Sequence, residues 1–310
     1  MVALRIHHRT TYHYRKPVAF GEHRMMLRPH NLHSQRVIGE KLQIDPMPES
    51  LWFVSDQFDN QIGIARFSTL ASELRFESIV RIEMAPDDSA GVNLDGGAAA
   101  GSTVYCAEER TQLLPFLDRH CPDPNNDVAS WAHNLLPPDT ALSPIHLLAC
   151  LSGEIKNRFL YRRRDAKGIQ LPAETLFLGH GSCRDFAVLL MDAARALGLA
   201  ARFTSGYLAI PLDHPEDVEN DLAHGATHAW AQIYLAGMGW IDVDPTSGTI
   251  GKKNLVSVAV VRDPDDAIPL HGTYYGAASD HIGMDVRVSV LSEAPNAFDD
   301  RSKGSGPGIL

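Results

Sequence analysis

GHGSCRDFAVLLMDAARALG, residues 179–198, sets one cysteine between a glycine-rich turn and a helical pattern. Phe186, Leu189, Leu190, Ala193, Ala194 and Leu197 recur at helical spacing and give the segment an apolar face. Gly198 suits the residue just past a helix end. Ser182 and Asp185 stand three apart at the start, the spacing of a capping box, with Asp where Glu or Gln is usual. The pattern predicts a helix whose first residue is Cys183. A helix N-terminus carries about half a positive charge and unpaired N–H groups, so this position favours a thiolate. Gly179 and Gly181 leave room for a substrate carbonyl, and the Cys183 N–H is placed to help bind an oxyanion. A cysteine near a helix start is also a common small packed residue, and this stretch alone does not separate the two readings.

THAWAQIYLAGMGWIDVDPTSG, residues 227–248, reads as a β-hairpin. His228, Trp230, Gln232 and Tyr234 share one face, and Ala229, Ala231, Ile233 and Leu235 the other. In the second arm Trp240, Asp242 and Asp244 oppose Ile241 and Val243, with AGMG as the turn. A three-residue loop from Leu235 to Gly237 predicts that His228 faces Asp244 directly, with Cβ atoms about 5 Å apart. A two-residue Gly237-Met238 turn would break that pair. Cysteine, histidine and aspartate then compose a nucleophile, a base and an orienter. His228 takes the proton from Cys183 and gives one to the leaving amine, while Asp244 holds the imidazole tautomer. Asp242 shares the face and is the alternative orienter. Pro245 restricts the backbone of Asp244 to extended forms.

Outside these segments the chain divides into two parts. Residues 1–85 read as strands: LRIHHRTTYHY alternates, with Leu4, Ile6, His8, Thr10, Tyr12 and Tyr14 on one face, and KLQID, SLWFV, QIGIARF and ELRFESIVRIEM follow between turns. An antiparallel β-sandwich or open barrel is expected there. Its histidines match no zinc spacing. Residues 86–104 have the composition of a linker. Over 105–292, helical patterns (TQLLPFLDRH, NDVASWAHNLL, SPIHLLACLSGEIKNRF) give way to strands, which predicts an α+β domain with an antiparallel sheet. Residues 293–310, rich in Asp, Gly, Ser and Pro, read as a mobile tail.

A chain of 310 residues suggests about two domains. The net charge is −10, and no basic stripe is present beyond Arg162, Arg163 and Arg164, which read as a solvated face or a helix end, so no nucleic-acid partner is expected. No signal-peptide h-region and no membrane-spanning apolar run are seen. Four widely spaced cysteines without a CxxC pair suit free thiols in a reducing cytoplasm. Of these, Cys106, Cys121 and Cys150 read as structural. Nothing in the sequence sets an oligomeric state.

GSCRDFA, LGLAARFTSGYL and THAWAQIYLAGMGWIDVDPTSG together resemble the core of the transglutaminase-like superfamily. LRIHHRTTYHYRKPV, HRMMLRPH and VAVVRDPDDAIPLHGTYYG are similar to the flanking stretches of a bacterial group described as cysteine proteases with an N-terminal β-domain. The resemblance implies a papain-like α+β core, with Cys183 as nucleophile, His228 as base and, through the DPT motif, Asp244 as the third member. It implies action on the amide bond of a peptide or protein. The expected enzyme is a peptidase or amidase working through an acyl-enzyme thioester. Transfer of a glutamine acyl group to an amine and a catalytically silent peptide-binding module are the alternatives. The resemblance further implies a side chain upstream of the cysteine that completes the oxyanion hole, for which Tyr161 and Gln170 are both candidates. His180 is either a substrate contact or an exposed loop residue. Animal members are calcium-activated, but DPNND and DPDD lack the spacing of an EF-hand loop, so neither metal nor cofactor is expected. The acidic stretch Leu212 to Leu222 reads as a solvated loop before His228.

Overall fold

The computed structural model describes residues 2–85, 103–136, 143–164, 168–209, 225–252 and 254–293. The linker save for its last two residues, the acidic loop and the tail beyond Glu293 lie outside the described residues.

The 24-residue strand β1 (Val2–Met25) organises the first sheet. Its first half pairs on one side with β5 (Ala71–Met84) and on the other with β14 (His281–Glu293). Register shifts follow His13, and the second half then pairs with β4 (Gln61–Arg66) and β13 (Leu270–Tyr275). With β2 (Gln35–Asp45) beside β5 and β3 (Ser50–Ser55) beside β4, this makes a curled antiparallel sheet of seven strands. Irregularities of this kind bend a strand and let a sheet close on itself. The alternation seen in the sequence is the alternation of burial: Leu4, Ile6, His8, Thr10 and Tyr14 point inward. Tyr14, Phe20, Leu74 and Phe76 fill the curl.

Pairing corrects the division expected from the sequence. Residues 270–292, assigned there to the second unit, and Glu293, assigned to the tail, return to the first sheet as β13 and β14. Alternation marks a segment as a strand without saying which sheet it joins.

The second sheet is antiparallel in the order β11 (Thr249–Ile250), β10 (Gly239–Asp244), β9 (Gly225–Leu235), β8 (Ala201–Ala209), β12 (Leu255–Val261). Helix α5 (Cys183–Ala196) lies against one face and is buried from Asp185 through Arg195. Ala229, Ala231, Ile233 and Leu235 meet Phe186, Leu189, Leu190 and Met191 in the main core. Each of those four larger side chains contributes about 1.5–3 kcal/mol by leaving water. Helices α1 (Ala107–Leu117), α2 (Asp127–Asn134), α3 (Pro144–Arg158) and α4 (Pro172–Leu178) surround it. No helix among the described residues is long and apolar enough to cross a membrane.

The two sheets meet across Leu4, Ile6, Val80 and Ile82 on one side and Tyr207, Ala209, Val256 and Val258 on the other. Beside this contact, two side-chain amides complete the edge of β12. Gln35 donates to the Ser257 carbonyl at 2.8 Å and accepts from its N–H at 3.0 Å. Asn60 treats Val260 the same way, at 2.8 Å in both directions. An edge that would otherwise recruit a further strand is thus closed by the first unit.

Candidate active site

The cysteine is presented by a short, tightly bound turn. Gly179 ends α4 with φ +66°, a conformation open to glycine. The pair β6 (Leu160–Tyr161) and β7 (His180–Gly181) then runs parallel, with the Leu160 N–H on the Gly179 carbonyl at 2.9 Å and the Arg162 N–H on that of Gly181 at 2.8 Å. A Cβ at Gly181 would stand 2.9 Å from the Cβ of Asp185, so only glycine lets the chain pass here. Cys183 follows as the first residue of α5, as the sequence predicts.

Asp185 holds this turn more firmly than the expected capping box. It is fully buried and accepts from the Ser182 N–H at 2.8 Å, the Ser182 hydroxyl at 2.7 Å and the Gln170 N–H at 2.8 Å. Arg164 adds a two-pronged bond at 2.9 Å on each oxygen. Burial alone would raise the Asp185 pKa; Arg164 and the N–H donors outweigh it and keep the carboxyl below the usual range. Arg164, read as part of a solvated face, is therefore a structural partner of the turn.

His228 comes from β9, opposite Gly206 of β8. Its Nε2 lies 3.0 Å from Oδ2 of Asp244, and the Cys183 thiol is its other side-chain partner. Nε2 being engaged, Nδ1 is the nitrogen left for the sulfur. The hairpin register differs from the expected one. Leu235 pairs with Gly239 and Gln232 with Asp242, so the loop is Ala236 to Met238. His228 and Asp244 are diagonal rather than facing. A displacement by two residues keeps both on the same side of the sheet, and the diagonal remains within side-chain reach. Asp244 also accepts from the Thr246 N–H at 2.9 Å and the Ser247 hydroxyl at 2.7 Å, and its backbone carbonyl takes the Ser152 hydroxyl at 3.3 Å.

Burial opposes a charge on His228, but the hydrogen bonds to Asp244 and Cys183 and the negative charges behind them prevail, raising its pKa to about 9. Burial likewise opposes the Asp244 charge, and the His228, Ser247 and Thr246 donors overcome it, so its pKa is lowered. At neutral pH the ring is cationic, between an acid on one side and the sulfur on the other.

Asp242 has a different task. Its Oδ1 accepts from Trp230 Nε1 at 2.6 Å and from Gln232 Nε2 at 2.8 Å. Trp230 is fully buried and stacks beside His228, with ring centroids 6.1 Å apart and planes inclined by 26°. Gln232 in turn accepts from Arg202 at 2.8 Å, and that guanidinium lies 4.1 Å over the Trp240 ring. The face alternation contained these residues, but not their linkage.

The two oxyanion candidates differ in their partners. Gln170 spends both amide hydrogens, on Thr175 Oγ1 at 3.1 Å and on the His180 carbonyl at 2.9 Å. Tyr161 is half exposed, its ring edge-on to Phe186 at 6.4 Å, and burial together with the nearby Cys183 raises its pKa. His180 has its Nδ1 buried without a hydrogen-bond partner among the described residues and shows no bond to the triad. The other thiols stand apart: Cys106 and Cys150 are exposed and Cys121 is half-buried. Cys150 was expected to be structural; α3 buries Ile145, Leu147, Leu148 and Leu151 and turns it outward. Among the described residues no three His, Cys, Asp or Glu side chains are grouped to hold a metal ion.

Comparison with known proteins bears on the family. Residues 4–83 match the family described as the bacterial transglutaminase-like N-terminal region, and residues 138–245 match the transglutaminase-like superfamily. A crystal structure described as a "Putative Cysteine Protease" from Cytophaga hutchinsonii shares the fold at a TM-score of 0.65 and 20% identity, over 94% of this chain and 92% of its own. An uncharacterised protein of Mycobacterium tuberculosis is 28% identical over 295 residues, 93% of this chain and 92% of the relative. One of Mycobacterium leprae is 34% identical over 114 residues, 36% of this chain and 38% of the relative. With both regions matched in order and the whole fold shared, the chain belongs to the transglutaminase-like superfamily, as a member with the bacterial N-terminal β-region.

Proposed function

We propose that the protein hydrolyses an amide bond of a peptide or protein through a thioester on Cys183. The observation that carries this reading is His228 bonded on one side to buried Asp244 and on the other to the thiol. The sulfur attacks the carbonyl carbon and an S–C bond forms. The oxyanion is received by the Cys183 N–H and the Tyr161 hydroxyl. The C–N bond then breaks, and His228 gives its proton to the leaving amine. Water attacks the thioester, His228 takes a proton from it, and the S–C bond breaks to release the acid. Large hydrophobic side chains stand exposed on the elements leading to the nucleophile (Leu160, Tyr161, Phe177, Leu178), which suits a peptide more than a small polar amide.

The test is to incubate the protein with a cell extract, quench in acid and search by mass spectrometry for an acyl group on Cys183. A labelled acyl-enzyme that is absent from Cys183→Ala, with amide turnover lost in that variant, is the expected result. Turnover surviving in Cys183→Ala would overturn the reading. Efficient capture of the acyl group by an added labelled amine would move it to acyl transfer.

A further inference from the structure

An imidazole is aimed by rotation about two bonds, and the outer one, which turns the ring on its β-carbon, has only broad minima. The bond from Nε2 to Asp244 at 3.0 Å fixes one point of the His228 ring. One fixed point still lets the ring pivot, and a pivot carries Nδ1 away from the sulfur. Trp230 meets the face of that ring, with centroids 6.1 Å apart and planes inclined by 26°. It stands two residues further along β9, so both side chains leave the same side of the strand.

Trp230 is itself held at both ends. Its Nε1 donates to Asp242 Oδ1 at 2.6 Å. Its six-membered ring passes over Gly206, where a Cβ would stand 3.0 Å from Cη2. Gly206 is also the residue paired with His228 on β8. Asp242 is buried, and Gln232 donates to the same Oδ1 at 2.8 Å. Gln232 in turn accepts from Arg202 at 2.8 Å. Three neighbouring strands thus converge on one indole: β8 through Arg202 and Gly206, β9 through Gln232 and β10 through Asp242.

We propose that Asp242 and Trp230 are positioning residues for the base. The Asp242 hydrogen bond sets the plane of the indole, and the indole sets the plane of His228, so that one ring nitrogen meets Asp244 while the other meets the sulfur. This rests on the reading of Cys183 as nucleophile and His228 as base. Asp242 acts here through its oxygen as an acceptor and not through its charge.

Two substitutions at one position test this. Asp242→Asn and Asp242→Leu remove the same charge, but only asparagine keeps an Oδ1 to receive Trp230 and Gln232. Two measurements need no known substrate. One is the nuclear magnetic resonance titration of the His228 ring, with a wild-type midpoint at about 9. The other is the rate of iodoacetamide at Cys183 at pH 7, relative to glutathione. The groups that hold the His228 proton, Asp244 of β10 and Cys183 of α5, are intact in every variant. In Asp242→Leu the midpoint falls by about one pH unit, a loss of about tenfold in proton affinity, and alkylation slows by about tenfold. In Asp242→Asn both quantities stay within about twofold of the wild type. Trp230→Phe, which keeps a ring beside His228 but offers Asp242 no N–H, lowers the midpoint by about half a unit or more and serves if the leucine variant does not fold. A role in packing alone would lower stability in urea and leave the titration in place. An unmoved titration in the folded Leu or Phe variant, or an Asn variant that behaves like the Leu variant, would overturn the proposal. Failure of the nucleophile reading takes the proposal with it and looks different: wild-type Cys183 then reacts no faster than glutathione.

Discussion

His228 keeps its proton to about pH 9, because Asp244 and the Cys183 sulfur together exceed the penalty of burying a cation. The folded pKa stands above the ordinary histidine value of 6.5. The stabilisation it brings is therefore complete below about pH 6.5 and is lost as pH rises through about 9. Thermal unfolding should show it: the margin of the wild type over His228→Gln narrows between pH 7 and pH 10. In the proposed mechanism the same proton goes to the leaving amine, so kcat/KM should show an alkaline limb near pH 9. Asp244→Asn removes the main charge that holds it. A nuclear magnetic resonance titration of the His228 ring in that variant should move toward neutral pH, with kcat/KM lower by on the order of 10²-fold or more. Asp242→Asn leaves the ring titration near its wild-type position, because that carboxylate serves Trp230 and Gln232.

At the level of elements, the turn that presents Cys183 depends on Asp185. Removing its charge leaves Arg164 facing a neutral amide in a buried site, so Asp185→Asn should lower the unfolding free energy by about 3–5 kcal/mol, read as a shift in the urea midpoint at constant slope. Gly206→Ala tests the sheet in a similar way. Its Cβ would fall 1.9 Å from the Val256 carbonyl oxygen and 3.0 Å from Trp230, so β8 and β12 must part, at a cost of about 1–3 kcal/mol or more. What could be read from the sequence at this scale was local. The helix, its start at Cys183 and the Ser182–Asp185 pair are each set by residues three or four positions apart. The Arg164–Asp185 pair spans 21 residues and left no local sign. The hairpin register was two residues off because AGMG admits more than one loop, yet the His228–Asp244 contact survived because an even displacement preserves the face. The sequence gives no sign of the partners of the Gln170 amide, and β6, β7 and α4 are too short for periodicity to reveal.

Across the whole molecule, the contacts that attach the first unit include an apolar seam and the amides of Gln35 and Asn60 on the edge of β12. Replacing either amide by an isosteric apolar group strands the backbone N–H and C=O it had satisfied. Gln35→Leu and Asn60→Leu should each lower stability by about 1–3 kcal/mol in urea unfolding. No alternation pattern announces such a bond, since it joins residues 222 and 200 positions apart. The return of β13 and β14 to the first sheet was hidden for the same reason.

The pairing of Ala3 with Glu293 sets an order of events during synthesis. Of the described elements a ribosome makes β1 first and β14, which lies along one flank of it, last. Until β14 is made that flank of β1 stays bare, although Cys183, His228 and Asp244 all precede β14 in the chain. The half of the molecule that holds Cys183 can therefore be assembled before the half that braces it is closed.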